Sequence, residues 1–343
     1  MKAWRVHAFG EPLDVLQLED VAAPKPGAGE VQIEVAAVAL NLNDLDGIHG
    51  RYRTVRPPLP YTPGMEVLGR VRAAGPGEDA WVGRRVVAVP SGAFGGYAEV
   101  AVAPAGMTFA MPDRIPLPDA AAILMPFHLA WLALHERARL RPGETLLVHA
   151  AAGGAGSAAV QLGVAAGARV VAIAGSAEKV ALCRSLGAEV AIDHQATDFV
   201  DAVLDATDGR GVDVAFDSVG GAVTEDTFRC MAFNGRHVLL GFAAGIEAED
   251  ERGLVPRPIM FGNFGLFGVC LAYTPDPAAA KRASGFNFLS TADGERIHGS
   301  LLELLERGTI RAVVGWDLSF AALPEALDAM QRRVTTGRTV VRL

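Results

Sequence analysis

The sequence is poor in cysteine and in positive charge, and it has no long apolar run. Its three cysteines, Cys183, Cys230 and Cys270, lie far apart and form no CxxC pair. A disulfide framework and a cysteine-built zinc site are therefore not expected, and a reducing, cytoplasmic setting fits. Lys and Arg number 31 against 39 Asp and Glu, a net charge of −8. That balance argues against nucleic acid or an anionic lipid surface as the main partner. The most apolar stretch, Ala120 to Leu134, contains Pro126 and His128. It is shorter than the ~18 residues a membrane helix needs and reads as a buried helix at a domain junction. The first twenty residues lack the continuous apolar core of a secretory signal. What is present is a chain of 343 residues, half of them hydrophobic and 20% charged. It is too apolar for disorder and too charged for a polytopic membrane protein. The length suggests two domains, and a chain of this size buries roughly 75% of its unfolded surface without metal or disulfide staples.

The first hundred residues read as β structure. Val31, Ile33, Val35 and Ala37 alternate with their neighbours, and Val67–Val71 and Val86–Val89 are further short strands. Gly and Pro punctuate them, and no long amphipathic helix intervenes. The texture then changes. Apolar runs at 145–149, 170–174, 190–193, 212–217 and 237–242 alternate with helical stretches at 157–166 and 178–185, which Gly167 and Gly187 terminate. Apolar strands alternating with helices are the mark of a parallel α/β sheet. Beyond Gly265 the pattern is mixed: a strand over Leu266–Tyr273, helices over Leu301–Glu306 and Pro324–Arg332, and a last strand in RTVVRL. That last strand is placed to rejoin the β domain, which makes the α/β unit an insertion. The charged segment from Glu247 to Pro258 reads as a loop.

The strongest local signal is VHAAAGGAGSAAVQLG, Val148 to Gly163. A buried strand runs into Gly153, Gly154, Ala155 and Gly156, and a helix follows. Gly153 permits the tight turn, Gly154 leaves backbone N–H groups open to a phosphate, and Gly156 lets the helix pack close. The helix N-terminus then faces a dinucleotide pyrophosphate. At the end of the next strand an NAD site places Asp or Glu for the ribose 2′-hydroxyl. Here stand Gly175 and Ser176, with Lys179 just beyond. Ser176 as a donor and Lys179 as a cation suit a 2′-phosphate, and His194 after the third strand can close over it. NADPH is therefore favoured over NADH. Ser218, in DSVGG, and Gly241 and Phe242, in HVLLGFAAG, sit at later strand ends, where a doubly wound sheet holds its ligand.

These pieces together resemble the medium-chain dehydrogenase/reductase superfamily, in its zinc-independent quinone oxidoreductase branch. NLNDLDGIHGRY (41–52), PYTPGMEVLGRV (60–71), GGYAEV (95–100), RLRPGETLLVHAAAGGAG (139–156), GSAEK (175–179), DSVGG (217–221) and GRTVVRL (337–343) carry the likeness across nearly the whole chain. It implies a GroES-like β catalytic domain over 1–122, rejoined by 286–343. It implies a Rossmann doubly wound parallel-sheet domain over 123–285. A cleft between the domains and a homodimer joined through the Rossmann sheets follow from the same likeness. Where zinc-dependent relatives place a cysteine and the histidine of G-H-E, this chain has Asn43, Asp44 and Met65, so no metal is expected.

The resemblance also implies roles. Asn41 matches an asparagine near the nicotinamide that reaches the ribose or the substrate oxygen. Phe242, Phe267 and Val269 wall the nicotinamide, and Arg338, in GRTVVRL, joins the cofactor contacts. Tyr52 aligns with the proton donor of the related enoyl-thioester reductases, but quinone reductases carry a tyrosine there as well. The expected activity is NADPH-dependent reduction of quinones, small electron-poor acceptors that need no Lewis acid. Two alternatives stay open: an NADPH-dependent enoyl-thioester or enone reductase using Tyr52, and a non-catalytic NADPH-binding structural protein.

Overall fold

The computed structural model describes residues 1–52, 57–245 and 255–343. The strands, in chain order, are β1 (Lys2–Val6), β2 (Leu16–Asp20), β3 (Glu30–Ala39), β4 (Val67–Ala74), β5 (Arg85–Ala88), β6 (Val100–Pro104) and β7 (Thr108–Ala110). Then follow β8 (Thr145–Val148), β9 (Arg169–Ala174), β10 (Val190–Asp193), β11 (Val212–Asp217), β12 (Met231–Leu239) and β13 (Gly265–Gly268). The last are β14 (Tyr273–Thr274), β15 (Leu289–Ser290), β16 (Val314–Ser319) and β17 (Arg338–Arg342). The chain separates into two compact units. One comprises Met1–Leu124, Ala272–Ser300 and Ala312–Leu343; the other comprises Met125–Leu271 and Leu301–Arg311.

The first unit is built on a seven-stranded sheet in the order β16-β17-β3-β4-β5-β7, with β6 also pairing β3. The alternation read in β3 holds in part: Glu34 is exposed and Gln32 is buried, donating to the Pro24 carbonyl, whereas Val31 and Ile33 are fully buried as read. They enter a core with Val67, Val86, Ala101 and Val341. The last strand, β17, lies antiparallel to β3, with Val341 opposite Val38. The helix Leu42–His49 follows β3 directly and ends at Gly50 in the left-handed region.

The second unit is a six-stranded, wholly parallel sheet in the order β10-β9-β8-β11-β12-β13. This is the doubly wound order in which the connection reverses beside the first strand. β8 is buried at every position, with Leu146, Leu147 and Val148 following Thr145, as in a sheet covered on both faces. Leu147, Val171, Ala215, Phe228 and Phe264 pack in one cluster. Gly167 and Gly187, both with positive φ, follow the helices Gly154–Ala165 and Ala177–Ser185 as expected. No helix among the described residues is long and apolar enough to cross a membrane.

Several boundaries differ from the sequence reading. The stretch 120–134 is not one helix. A short helix ends at Ala121, a new one spans Leu124–Trp131, and a wider-wound turn covers Leu132–Arg137. Pro126 lies in the first turn of the middle piece, where its missing N–H costs nothing. The strand expected at 237–242 starts at Met231 and ends at Leu239. Its early half was hidden because Asn234 takes positive φ and the β11–β12 register slips between Val212 and Val214. The single strand expected over 266–273 is split between β13 and β14, one in each unit. The helix placed at 301–306 begins ten residues earlier, at Thr291. The expected loop at 247–258 lies outside the described residues up to 254, and Arg257 and Pro258 open a helix to Gly262.

Two sets of contacts fix where the chain passes between the units. The chain returns to the first unit at Ala272 rather than 286, because Tyr273 packs edge-on against Phe109 and its N–H meets Met107 Sδ. Residues 301–311 stay with the second unit, where Gln161 accepts the Arg311 N–H at 2.8 Å and donates to its carbonyl at 3.1 Å.

Candidate active site

The glycine-rich turn is shaped by close approach. After β8 the backbone passes through Ala150 at φ +47°, and Gly153 sits at the N-cap of the helix Gly154–Ala165. A Cβ on Gly156 would lie 2.2 Å from the Ala150 carbonyl oxygen and 2.7 Å from Ala151 Cα. Only glycine lets the helix press this closely on its own turn. The first-turn N–H groups, those of Gly154 and Ala155 included, have no partner inside the helix and open toward the strand end, the geometry that holds an anion.

One strand over, the structure gathers Gly175, Ser176, Lys179 and His194. Ser176 caps the helix Ala177–Ser185 by accepting the Lys179 N–H at 3.2 Å. Its hydroxyl proton remains to be donated elsewhere. The His194 ring leans over Gly175, where a Cβ would come within 2.9 Å of Nε2. Ser176 and Lys179 are half-buried, and His194 is exposed. No carboxylate stands at the end of β9.

The ends of β11, β12 and β13 form the next group. Gly220 and Gly221 take positive φ in the turn after β11. The turn is knitted to the segment after β12: Ala243 N–H donates to the Ser218 carbonyl at 3.2 Å, and Ala244 N–H to Val219 at 2.8 Å. A Cβ on Gly241 would lie 3.0 Å from the Ser218 oxygen. Phe242 is exposed, whereas Phe267 and Val269 are half-buried. The Arg137 guanidinium stands 5.8 Å from the Phe267 ring centre and donates to the Gly268 carbonyl at 3.0 Å. Val269 N–H extends the pairing of β13 by donating to Leu239.

Asn41, Tyr52 and Arg338 belong to the first unit. Asn41 is the N-cap of Leu42–His49, and Asp44 accepts its backbone N–H at 3.0 Å. Its side-chain amide is engaged within the protein. The oxygen accepts from Arg338 Nη1 at 2.9 Å, and the nitrogen donates to the Ala39 carbonyl at 3.1 Å and toward Glu66 at 3.4 Å. A contact from Asn41 to a ribose has to displace the weakest of these. Arg338 Nη2 donates to the Glu66 carboxylate, and Glu66 is completely buried. Beside them Tyr97 donates to Asp44 at 2.7 Å. Burial pushes Asp44 up to about 6, against the pull of Tyr97, the Asn41 N–H and Arg338. Tyr52 accepts a hydrogen bond from the Asn43 amide. In the second unit the expected residues thus lie at the ends of neighbouring strands, in three local groups; in the first, Asn41 and Arg338 share a buried group, and Tyr52, half-buried, meets Asn43 instead.

Residues 27–113 match the alcohol dehydrogenase GroES-like domain, and residues 154–283 match the zinc-binding dehydrogenase domain. Quinone oxidoreductase-like protein 2 of Rattus norvegicus is 38% identical over 331 residues, covering 96% of this chain and 89% of that protein. The quinone oxidoreductase of the same species is 31% identical over 92% of this chain and 89% of its own length. The chain belongs to the medium-chain dehydrogenase/reductase superfamily, in its quinone oxidoreductase branch. Among solved members of the superfamily, the Thermus thermophilus quinone oxidoreductase, also solved with NADPH, superposes with a TM-score of 0.79 at 36% identity and full coverage of both chains. A mycobacterial protein complexed with NADPH gives 0.86 at 29% identity, again with full coverage. As a member of this superfamily the protein is an oxidoreductase that works with a nicotinamide cofactor.

Zinc, which one of the matched domains is named for, does not fit the residues. A catalytic zinc takes thiolate, imidazole and carboxylate donors. Around Glu66 stand the Asn41 amide and the Arg338 guanidinium, and the preceding residue is Met65. A cation is already supplied there by arginine. Among the described residues no group of three His, Cys, Asp or Glu is placed to hold a metal ion.

The sequence reading did not single out Glu66, Tyr97, His149 or His237, and it met Asp217 only as the first residue of the DSVGG strand end. Their signal was present but faint: a charged or imidazole side chain set among apolar strand residues, as in TLLVH and VAFD.

Proposed function

We propose that the protein is an NADPH-dependent reductase of quinones that works without zinc. The observation that carries this reading is the group at the end of β9. Ser176 caps the helix that carries Lys179, the His194 ring lies over Gly175, and β9 itself ends without a carboxylate. The quinone oxidoreductase names of the relatives supply the acceptor class. When bound, NADPH supplies the hydride. The chain's own residues do the rest. Gly154 and Ala155 offer N–H groups to the pyrophosphate, while Gly153, whose own N–H donates to the Ala150 carbonyl at 2.9 Å, shapes the turn that presents them. Ser176 donates to the 2′-phosphate, and Lys179 and His194 neutralise it. Gly241, Phe242, Phe267 and Val269 give the nicotinamide an apolar wall. Arg338 holds the amide oxygen of Asn41, and a quinone needs no further Lewis acid. The acceptor is a small molecule, and the working form in this reading is a cytoplasmic homodimer.

The contact between Asn43 and Tyr52 favours a second reading. An amide donating to the phenol oxygen stabilises the phenoxide left after proton transfer, which suits an enoyl-thioester or enone reductase.

The test follows the loss of reduced-nicotinamide absorbance with benzoquinone and phenanthrenequinone, alongside crotonyl-CoA and a small enone. NADPH should exceed NADH in kcat/KM by about tenfold or more, equal to ~1.4 kcal/mol. Lys179→Ala should erase most of that preference. Equal use of NADH sinks the phosphate assignment. Turnover of the enoyl substrates alone, abolished by Tyr52→Phe, replaces the first reading with the second. Tight NADPH binding with no turnover leaves a binding protein.

A further inference from the structure

Beneath the strand ends of the second unit lies a group of buried polar side chains to which no role has yet been given. Asp217, the last residue of β11, is completely buried, as is His237 on β12. His149, directly after β8, and Thr224 and Thr227, on the helix Ala222–Phe228, are all at least nine-tenths buried. An apolar core at these positions would fold at least as well, because burying polar groups costs free energy even when they are paired. What they hold therefore matters.

Asp217 has four donors. Its Oδ1 accepts the backbone N–H of Val219 at 2.9 Å and of Gly220 at 3.1 Å. Its Oδ2 accepts the Thr224 hydroxyl at 2.5 Å and His237 Nε2 at 3.0 Å. His237 Nδ1 is buried with no hydrogen-bond partner. One carboxylate oxygen thus grips the Ser218–Gly221 turn, and the other grips a helix and a strand.

The same helix reaches the glycine-rich turn. Thr224 and Thr227 are three residues apart and share one helix face. Thr227 donates to the Val223 carbonyl at 2.6 Å, so its oxygen accepts His149 Nε2 at 2.8 Å. His149 immediately precedes Ala150, where the glycine-rich turn begins. One helix is bolted by two threonines to the two strands whose ends carry the two loops.

We propose that Asp217 is a positioning residue. Together with Thr224, Thr227 and His149 it clamps the Ser218–Gly221 turn, and through it the Gly241–Ala243 segment, in register with the glycine-rich turn, so that the nicotinamide half of the cofactor is held for hydride transfer. This rests on the dinucleotide reading above. In a doubly wound sheet each half serves one mononucleotide, and β11 to β13 form the half away from the adenosine site. The clamp touches no ligand. It acts by fixing backbone that does.

The two halves of the cofactor make the test. Wild-type protein, Asp217→Ala, Asp217→Asn and Thr224→Val are titrated with NADPH and with the adenosine fragment 2′,5′-ADP, and their kcat and KM for NADPH are measured. Asp217→Ala should weaken NADPH about tenfold or more while 2′,5′-ADP stays within about twofold. Asp217→Asn keeps an oxygen for Val219 and Gly220, so it should recover most of that loss. Thr224→Val is nearly isosteric and should give a smaller change of the same kind even if Asp217→Ala fails to fold. Equal weakening of both ligands, or no change in either, overturns the clamp. Wild-type protein that binds neither ligand overturns the dinucleotide reading, and the clamp falls with it.

Discussion

Each unit buries a carboxylate completely, and the two are satisfied by opposite means. Glu66 meets a full positive charge, the guanidinium of Arg338, which arrives from a strand 272 residues further along the chain. Asp217 meets two backbone N–H groups, a hydroxyl and the ring nitrogen of His237. The ion pair with Arg338 is the dominant contact of Glu66, with the Asn41 amide at 3.4 Å beside it, whereas the hold on Asp217 is spread over four donors. The first arrangement therefore fails all at once, and the second fails by degrees. The second fixes loop geometry.

The sharpest way to break the contrast is Arg338→Met. It leaves the buried Glu66 without its guanidinium partner, and it should cost about 3–5 kcal/mol in denaturant unfolding. Adding Glu66→Gln should return more than half of the loss, since the stranded charge is then gone. A single-variant loss below about 1 kcal/mol would mean that the pair is solvated and the contrast false.

Acid separates the units next. Burial holds His149 down to about 4 from its ordinary 6.5, so its contribution is present above 6.5 and is lost as pH falls through about 4. Asp44 is raised by burial to about 6, so its contribution is present below about 4 and is lost as pH rises through about 6. Between pH 6.5 and 4 the two act in opposite directions. Urea unfolding over that range should show Asp44→Asn losing ground against wild type as the pH falls, by up to about 3 kcal/mol. His149→Asn should gain ground by a similar amount. Parallel pH curves for the three proteins would contradict both assignments.

A smaller effect comes from Thr224→Val. It removes one of four donors from Asp217 and should destabilise by about 1–2 kcal/mol. The smallest effect is expected from metal. Chelation with EDTA, or added zinc, should change turnover by less than about twofold, since the donors around Glu66 do not suit zinc. Turnover that disappears with EDTA and returns with zinc would reverse that conclusion.

The second unit was largely legible in the sequence because its fold is written in local patterns. Short apolar runs, glycine stops and the Gly153–Gly156 turn each carry their own meaning within a few residues. Boundaries failed where a backbone irregularity masked the pattern, as at Asn234 in β12 and at the gap between Ala121 and Leu124. The buried groups were not legible for a different reason. Arg338 with Glu66, His149 with Thr227, and Asp44 with Tyr97 are pairings made by topology, between residues that no spacing rule connects. Asn41 illustrates both sides. Its place at a helix N-cap is visible locally, but the occupation of its amide by Arg338 and Ala39 is visible only in three dimensions.

The place of β17 bears on the order in which the protein matures. Every strand of the second unit's sheet has been synthesised once residue 268 has emerged, and the contacts among them are comparatively local. The first unit cannot close so early. Its strand β3 waits for Val340 and Val341 to cover Ala39 and Val38, and Glu66 waits for Arg338. A growing chain therefore carries a finished nucleotide-binding unit beside an incomplete β unit with an open edge and an unneutralised carboxylate. Loss of the last few residues would damage the part of the molecule that begins the sequence and spare the part that lies between.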